Sequence, residues 1–515
     1  MMTVLSILPI VSLLLCLIVI KFSVARSGAI SLAIALFIAL VFFGIGPFGL
    51  SVAVGKALSL ALFVSLIVWC ALLLYHLVDD FKAIDVINKN IVIFIEDKFV
   101  EFILLSWLFS GLLQGMAGFG VPVVIITPIL IALGFDKVKS LAAALLGHSW
   151  AVTFGSMGAA FFIIQMITGI PQEDLGIPMW IFNTSAHLLT GIGVCWLYDG
   201  FKGIKKGLPY ILPVSLVMAV VQYFTIYFEM YSLATLNTAL AGLAAMYGLY
   251  KLRAKTKSTG GLYAGSLTLW QSVLPYAVIF GLSLIFQFLP QTLRDISLSF
   301  RFQGFETALG HVVQPETNYS RIRLFGHPAA ILACASLVAV ILYKKAGVWD
   351  TEIFRGALKK TVKKGIPATL ALLALGNMSL IMMDSGMTHL LAYNVADFTG
   401  RFYPLAAPFF GVLASFLTGN NTNSNVLFGS FQYTIAARLG VSGAVMSSVQ
   451  SISGAVGVSI GPTLVLMGAL AGKLIGQESL IYKKLLVIVL LIALAMGIIN
   501  FILLEVLKFG TVYVI

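Results

Sequence analysis

The chain has 515 residues, 60% of them hydrophobic and only 10% charged, with a mean hydropathy of +1.03 and a net charge of +12. Soluble domains carry roughly 25% charged residues, so a soluble globular protein is excluded and a polytopic α-helical membrane protein remains. The positive charge fits the Lys and Arg excess of cytoplasmic loops, so no nucleic-acid partner is expected. The cysteines Cys16, Cys70, Cys195 and Cys334 stand singly in apolar runs. They read as small buried hydrophobes, with no disulfide, metal site or cofactor implied.

In chain order, residues 3–21 form an apolar run with neither a basic leader nor a small-residue cleavage site. They read as a retained span, and residues 1–26 as an extra N-terminal segment. Lys21 and Arg26 then put the N-terminus outside. Residues 27–44 return outward, and 50–77 come back in, ending at Asp79 and Asp80; these and Asp384 sit at matching places in the two copies and read as solvated helix ends, with gating pairs as the alternative. Residues 81–97 alternate apolar and polar positions at helical spacing, as an interfacial helix does. Residues 99–113 run into the Gly-rich break QGMAGFGVP, and 121–135 run out of it. Both arms are short, which predicts a re-entrant hairpin near 114–122.

Residues 136–169 contain GHSWAVTFGSMG and are expected to unwind there. A polar loop with Pro171 and Pro178 precedes the span 180–198, and a loop KGIKKG with Lys202, Lys205 and Lys206 follows it. Connecting spans occupy 199–327. Crossing number places 291–327 outside, although Arg294, Arg301, Arg321 and Arg323 run against that assignment.

Residues 328–505 repeat 27–198. Adding about 305 to an early residue number lands on a similar later feature, with the tip Gly115–Gly120 falling on Asn420–Asn425. The charges give the copies opposite directions, the inverted topology of many secondary carriers. The expected fold is an all-α polytopic membrane protein with two inverted-topology repeats, each carrying a re-entrant hairpin and a broken helix.

Irregular backbone at membrane depth persists only where it lines a cavity or site. Gly115, Gly118 and Gly120 permit a left-handed reversal, and Pro122 suits the first turn of the outgoing arm. That arm would point its free amides and positive dipole end at an anion. The second break, TGNNTNSN near 418–425, is an unbroken polar run between apolar flanks, and its groups must find partners. Thr422 and Ser424 are placed to cap its outgoing arm. In GHSWAVTFGS, spacing puts Ser149, Thr153 and Ser156 on one helical face. The segment GHSWA is faintly like a hydrolase nucleophile elbow, yet no strand–turn–helix or acid partner accompanies it. No enzyme is expected.

The residues expected to bind substrate are Gln114, Gly118, Phe119, Gly120, Ser149 and Thr153 from the first copy. The second copy adds Asn420, Asn421, Asn423, Asn425, Gln450 and Ser451. The tip amides would face a carboxylate while Asn421, Asn423, Asn425, Ser149 and Gln450 bond a hydroxyl. No Arg lies near either tip in sequence, which favours a monovalent anion. His148, the ionisable residue nearest the site centre, is the candidate proton carrier. Sodium coupling stays open, since Asn, Thr and Ser oxygens also suit that ion.

The motifs GMAGFGVPVVIITPILIALGF, GHSWAVTFGSMG, TGNNTNSNVLF with Phe431-Gln432, and the GxxxGP ending at Pro462 occur in order from about Phe99 onward. In this combination the sequence resembles the lactate permease family, within the broader ion transporter superfamily. The resemblance implies proton-coupled symport of L-lactate and related 2-hydroxy monocarboxylates such as glycolate. It further implies a bacterial or archaeal cytoplasmic membrane, surrounding lipid, and a homodimer working by an elevator motion. Some relatives place a lysine where this chain has Val458, which puts the handling of the carboxylate in question.

Overall fold

Two thirty-four-residue helices, Pro47–Asp80 and Thr351–Asp384, pack along each other and frame the molecule. Their side-chain pairs give the direction. Lys56 lies 3.5 Å from Asp384, Trp69 Nε1 donates to Thr369 Oγ1 at 3.0 Å, and Lys360 pairs with Asp80. As one residue number rises the other falls, so the helices are antiparallel.

The computed structural model describes residues 1–92, 96–116, 118, 120–253, 265–287 and 289–510. Among these, eleven helices are long and apolar enough to cross a bilayer, or twelve if one bent pair counts as a span. A preceding helix, Met2–Ile18, packs on Val24–Val41.

An offset of 304 residues carries Val24–Val41 onto Pro328–Lys345, and Pro47–Asp80 onto Thr351–Asp384, end to end. Since the long helices are antiparallel, the two copies are inverted. The same offset carries Lys56 to Lys360 and Asp80 to Asp384. Each lysine thus pairs with the other copy's aspartate, the reciprocal contact a two-fold relation imposes. The two pairs differ in burial. Lys56 and Asp384 side chains are each 1% exposed, against 55% and 13% for Lys360 and Asp80. Asp79 accepts from the Tyr75 hydroxyl at 3.1 Å. The aspartates expected as solvated helix ends are therefore bonded to partners, two of them across the copies.

Each copy then supplies a hairpin and a broken helix. The first hairpin joins Lys98–Met116 to Val121–Ala132. Its incoming arm is longer than the sequence suggested, because Asp97 caps it through the amides of Phe99 and Val100 and a π-helical stretch, Leu104–Phe109, continues it. The second hairpin joins Tyr403–Thr418 to Asn421–Leu439. The first broken helix bends by 56° between Lys137–Ala151 and Gly155–Thr168. The second passes from Gly443–Gly457 through Val458–Ile460 to Pro462–Ala471. The halves interleave, with Gly155–Thr168 packing on Asn421–Leu439.

Several local expectations change. The segment KGIKKG is helical, inside Gln172–Tyr227, and the chain breaks only at Asp199 and Gly200. Pro171 stands at that helix's N-cap and Pro178 within its first turns, so the connection is only residues 169–171. The expected interfacial helix covers Ala83–Val92, and residues 93–95 lie outside the described ones. Cys16 and Cys195 are buried, but Cys334 is exposed. Residues 291–327 add strand to an otherwise helical fold, as Ser297–Phe302 pairs antiparallel with Glu316–Arg323. This ribbon packs on Pro47–Asp80, where Glu316 bonds Lys56 at 2.9 Å.

Removing one member of a buried ion pair strands the other and costs about 3–5 kcal/mol, whereas an exposed pair is worth roughly 0–1 kcal/mol. Lys56→Met should therefore lower the Tm of the detergent-solubilised protein far more than its symmetry mate Lys360→Met. Equal shifts would refute this assignment.

Candidate substrate site

The tip of the first hairpin turns on two glycines. Gly118 has φ +63° and Gly120 has φ +83°, the latter N-capping the outgoing arm with Pro122 in its first turn. Gly115, expected to share the reversal, is helical and packs against Thr235 and Leu236. A Cβ on Gly118 would lie 1.8 Å from Ser156 Oγ, so the tip sits directly on the break of the first broken helix. There Ser156 (φ +49°), Met157 (φ +58°) and Gly158 (φ +82°) form a left-handed turn. Two such non-glycine residues cost roughly 1–3 kcal/mol each, and strain of that kind clusters at functional sites. Because the helix ends at Gly147 and the chain passes through a 3-10 turn, Ser149–Ala151, before this left-handed turn, Ser149, Thr153 and Ser156 do not share the single helical face that their spacing suggested.

The second tip turns at Gly419 (φ +75°). Asn420 caps its outgoing helix, accepting from the Asn423 amide at 2.8 Å. That role falls to Asn420 and not to Thr422 or Ser424, because its extended backbone points its side chain at the first free amides.

The two tips and the two helix breaks meet around one small cavity of about 40 Å³. Its wall includes Gln114, Gly120, His148, Ser156, Asn420 and Asn421. Gly419, Thr422, Val458 and Leu464 complete much of the rest. Four helices contribute their opening residues: Val121–Ala132, Gly155–Thr168, Asn421–Leu439 and Pro462–Ala471. Each such end carries roughly half a positive charge from the aligned peptide dipoles. Among the described lining residues there is no Arg, Lys, Asp or Glu. Positive potential at this cavity therefore comes from backbone.

His148 is buried, and its Nδ1 lies 2.8 Å from the Ala144 carbonyl oxygen. A carbonyl only accepts, so Nδ1 carries the proton and Nε2 of the neutral ring is left with a lone pair. Gln114 Oε1 and Asn421 Oδ1 are buried and find no hydrogen-bond donor among the described residues. An unmatched buried acceptor costs about 1–3 kcal/mol.

The remaining expected residues form a network behind this wall. Asn421 Nδ2 donates to Thr153 Oγ1 at 3.1 Å, and Thr153 donates to the Ser451 carbonyl at 3.1 Å. Asn425 Nδ2 donates to Ser451 Oγ at 2.8 Å and to the Ala160 carbonyl at 2.9 Å. Gln450 donates to Ser424 Oγ at 3.2 Å and accepts from Gln432 at 3.2 Å, and Gln432 accepts from the Tyr403 hydroxyl at 2.9 Å. Ser149 turns back on its own helix, donating to the Leu146 carbonyl at 2.7 Å. Asn423 is buried just inside the capped turn. Phe119 lies outside the described residues. Ser156 and Val458 join the wall only through folding. Tyr403 carried no sequence signal, being one aromatic at the head of an apolar run.

With the geometry in place, relatives can be compared. The sequence matches the L-lactate permease family over residues 2–507. It is 25% identical to the glycolate permease GlcA of Escherichia coli (strain K12), covering 96% of this chain and 94% of that protein. It is 24% identical to the L-lactate permease of the same strain, covering 92% and 91%. Among solved structures, the YdaH transporter of Alcanivorax borkumensis is similar at a TM-score of 0.42 and 14% identity, covering 92% of this chain and 88% of that one. That likeness is too loose to build on. The match across nearly the whole chain settles the grouping: the protein belongs to the L-lactate permease family.

Proposed function

We propose that the protein is a secondary carrier that moves L-lactate and related small 2-hydroxy monocarboxylates across the cytoplasmic membrane together with a proton. The observation that carries this reading is the convergence of four helix N-termini on a cavity with no charged side chain among its described lining. Fixed partial positive charge suits a single carboxylate, while a dicarboxylate would call for a buried arginine. The permeases named for lactate and glycolate support the same substrate class.

In this mechanism the carboxylate lies among the helix ends, and the amide groups of Gln114 and Asn421 bond the 2-hydroxyl. Val458 stands on the wall where some relatives carry lysine, so here backbone and amides hold the anion without an ammonium. His148 takes the co-transported proton on Nε2, and the resulting cation pairs with the carboxylate. Substrate enters when the tips part. Residues 27–198 and 328–505 act as the two inverted repeats, and their tips and broken helices move as a body against the long antiparallel pair in each protomer of a homodimer.

Uptake by proteoliposomes under separate proton and sodium gradients tests the coupling. Accumulation of L-lactate with an inward proton gradient supports it, and accumulation driven only by sodium overturns it. His148→Ala should abolish proton-driven accumulation while leaving measurable lactate exchange; full accumulation would remove His148 from the proton path. Gly118→Ala should block transport because its Cβ meets Ser156 Oγ. Adding Ser156→Gly should restore part of it, leaving only the left-handed strain of about 1–2 kcal/mol at residue 118. No recovery in the double variant would mean that the tip does not close on the helix break.

A further inference from the structure

A second and larger cavity, about 490 Å³, lies between the ribbon, the end of Gly155–Thr168 and the turn at Glu229–Leu233. It opens on the face opposite the helix ends bearing Lys202, Lys251 and Lys344, which the positive-inside bias makes the outer one. Its wall holds Arg294, Arg321 and Arg323, three of the arginines that run against an outside loop. Their position at a cavity, and not on a plain loop, gives them a reason to be there.

The charges facing this chamber sort simply. Glu316 is committed to Lys56 at 2.9 Å, and Arg321 to Asp295 at 3.1 Å. Glu229 is the other acid on the wall. Arg323 has no carboxylate within ion-pair distance among the described residues, and it is exposed. The chamber therefore keeps a positive balance with one uncommitted guanidinium, whose planar fork suits a carboxylate.

The chamber also adjoins the small cavity. The helix Gly155–Thr168 lines the small cavity with Ala159 and Ala160 and the chamber with Phe162 and Gln165. At 1.5 Å per residue, Ala160 and Gln165 are only about 7–8 Å apart along the axis. On that helix Phe162 lines the chamber, edge-on to Phe63 at 5.7 Å and close to Gly158.

We propose that this chamber is an outer anteroom for the monocarboxylate, a second and weaker anion site in which Arg323 is the ligand and Phe162 the inner wall. It rests on the substrate class given under Proposed function. A low-dielectric cleft of one charge sign concentrates ions of the other and loses that power as salt rises.

The test measures initial L-lactate uptake in proteoliposomes at low and physiological ionic strength. Arg323→Gln should raise KM at low salt by about 3–10-fold, the lower end of electrostatic focusing. It should also flatten the salt dependence of KM and leave kcat within about twofold. Arg301→Gln, on the same ribbon but off the chamber wall, should behave like the unsubstituted protein. Equal KM values for the two variants, or a loss of kcat alone, would overturn the anteroom. A second readout does not depend on transport. Asn318→Cys, on the same wall and exposed, made in a Cys334→Ser background with Arg323 kept and solubilised in detergent, should react faster with an anionic than with a cationic methanethiosulfonate, and adding Arg323→Gln should remove that preference. Equal rates would refute the anion site. A preference for the anionic reagent without slowing by L-lactate would keep the anion site and refute the substrate class.

Discussion

Four helices that start within the protein interior leave their first amides without intrahelical partners, and in lipid those amides have no water to turn to. The rest of the structure follows from that debt. The starts must face one another or face something polar, and here they face one another across a small cavity walled by Gln114, His148, Asn420 and Asn421. Glycines at 118, 120 and 419 let the chain turn tightly enough to bring the ends together. The polar network from Thr153 to Tyr403 then fixes the second tip against the first copy's broken helix.

The long antiparallel pair answers a different need. Each copy's lysine reaches the other copy's aspartate, so the two-fold relation between the repeats is written in charge as well as in shape. The two contacts have diverged. Lys56 and Asp384 are sealed beneath the ribbon, with Glu316 drawn in as a third member, while Lys360 and Asp80 stay close to solvent. Burial of one pair and not the other makes the two faces of a symmetric frame chemically unlike, with the arginine-lined chamber on the ribbon side. An inverted repeat needs some such difference if its two faces are to meet unlike surroundings.

Sequence and structure agree where a break is marked by composition. Gly-rich QGMAGFGVP and Asn-rich TGNNTNSN interrupt apolar runs so sharply that their place in the fold was legible without coordinates. They disagree where a helix continues through polar residues. KGIKKG reads as a loop because it is charged, yet lysines extend from a helix end without breaking it, and only Asp199 and Gly200 leave helical angles. Likewise Ser149, Thr153 and Ser156 look coplanar on an ideal helix, but the helix ends at Gly147 and a 3-10 turn and then a left-handed turn take its place.

The sequence by itself determined the membrane class, the two repeats, the two tips and the broken helices, because hydropathy, glycine and asparagine act locally and leave local marks. Only the tertiary structure decided which polar groups face the cavity and which lie behind it, since Asn421 and Asn425 stand one helical turn apart and differ only in what packs against them. It alone decided that Asp384 is a buried partner of Lys56, that Tyr403 anchors Gln432, and that Arg294, Arg321 and Arg323 gather at a chamber. Those facts join residues tens to hundreds of positions apart, and a pairing across such a span is set by packing, which no local pattern encodes.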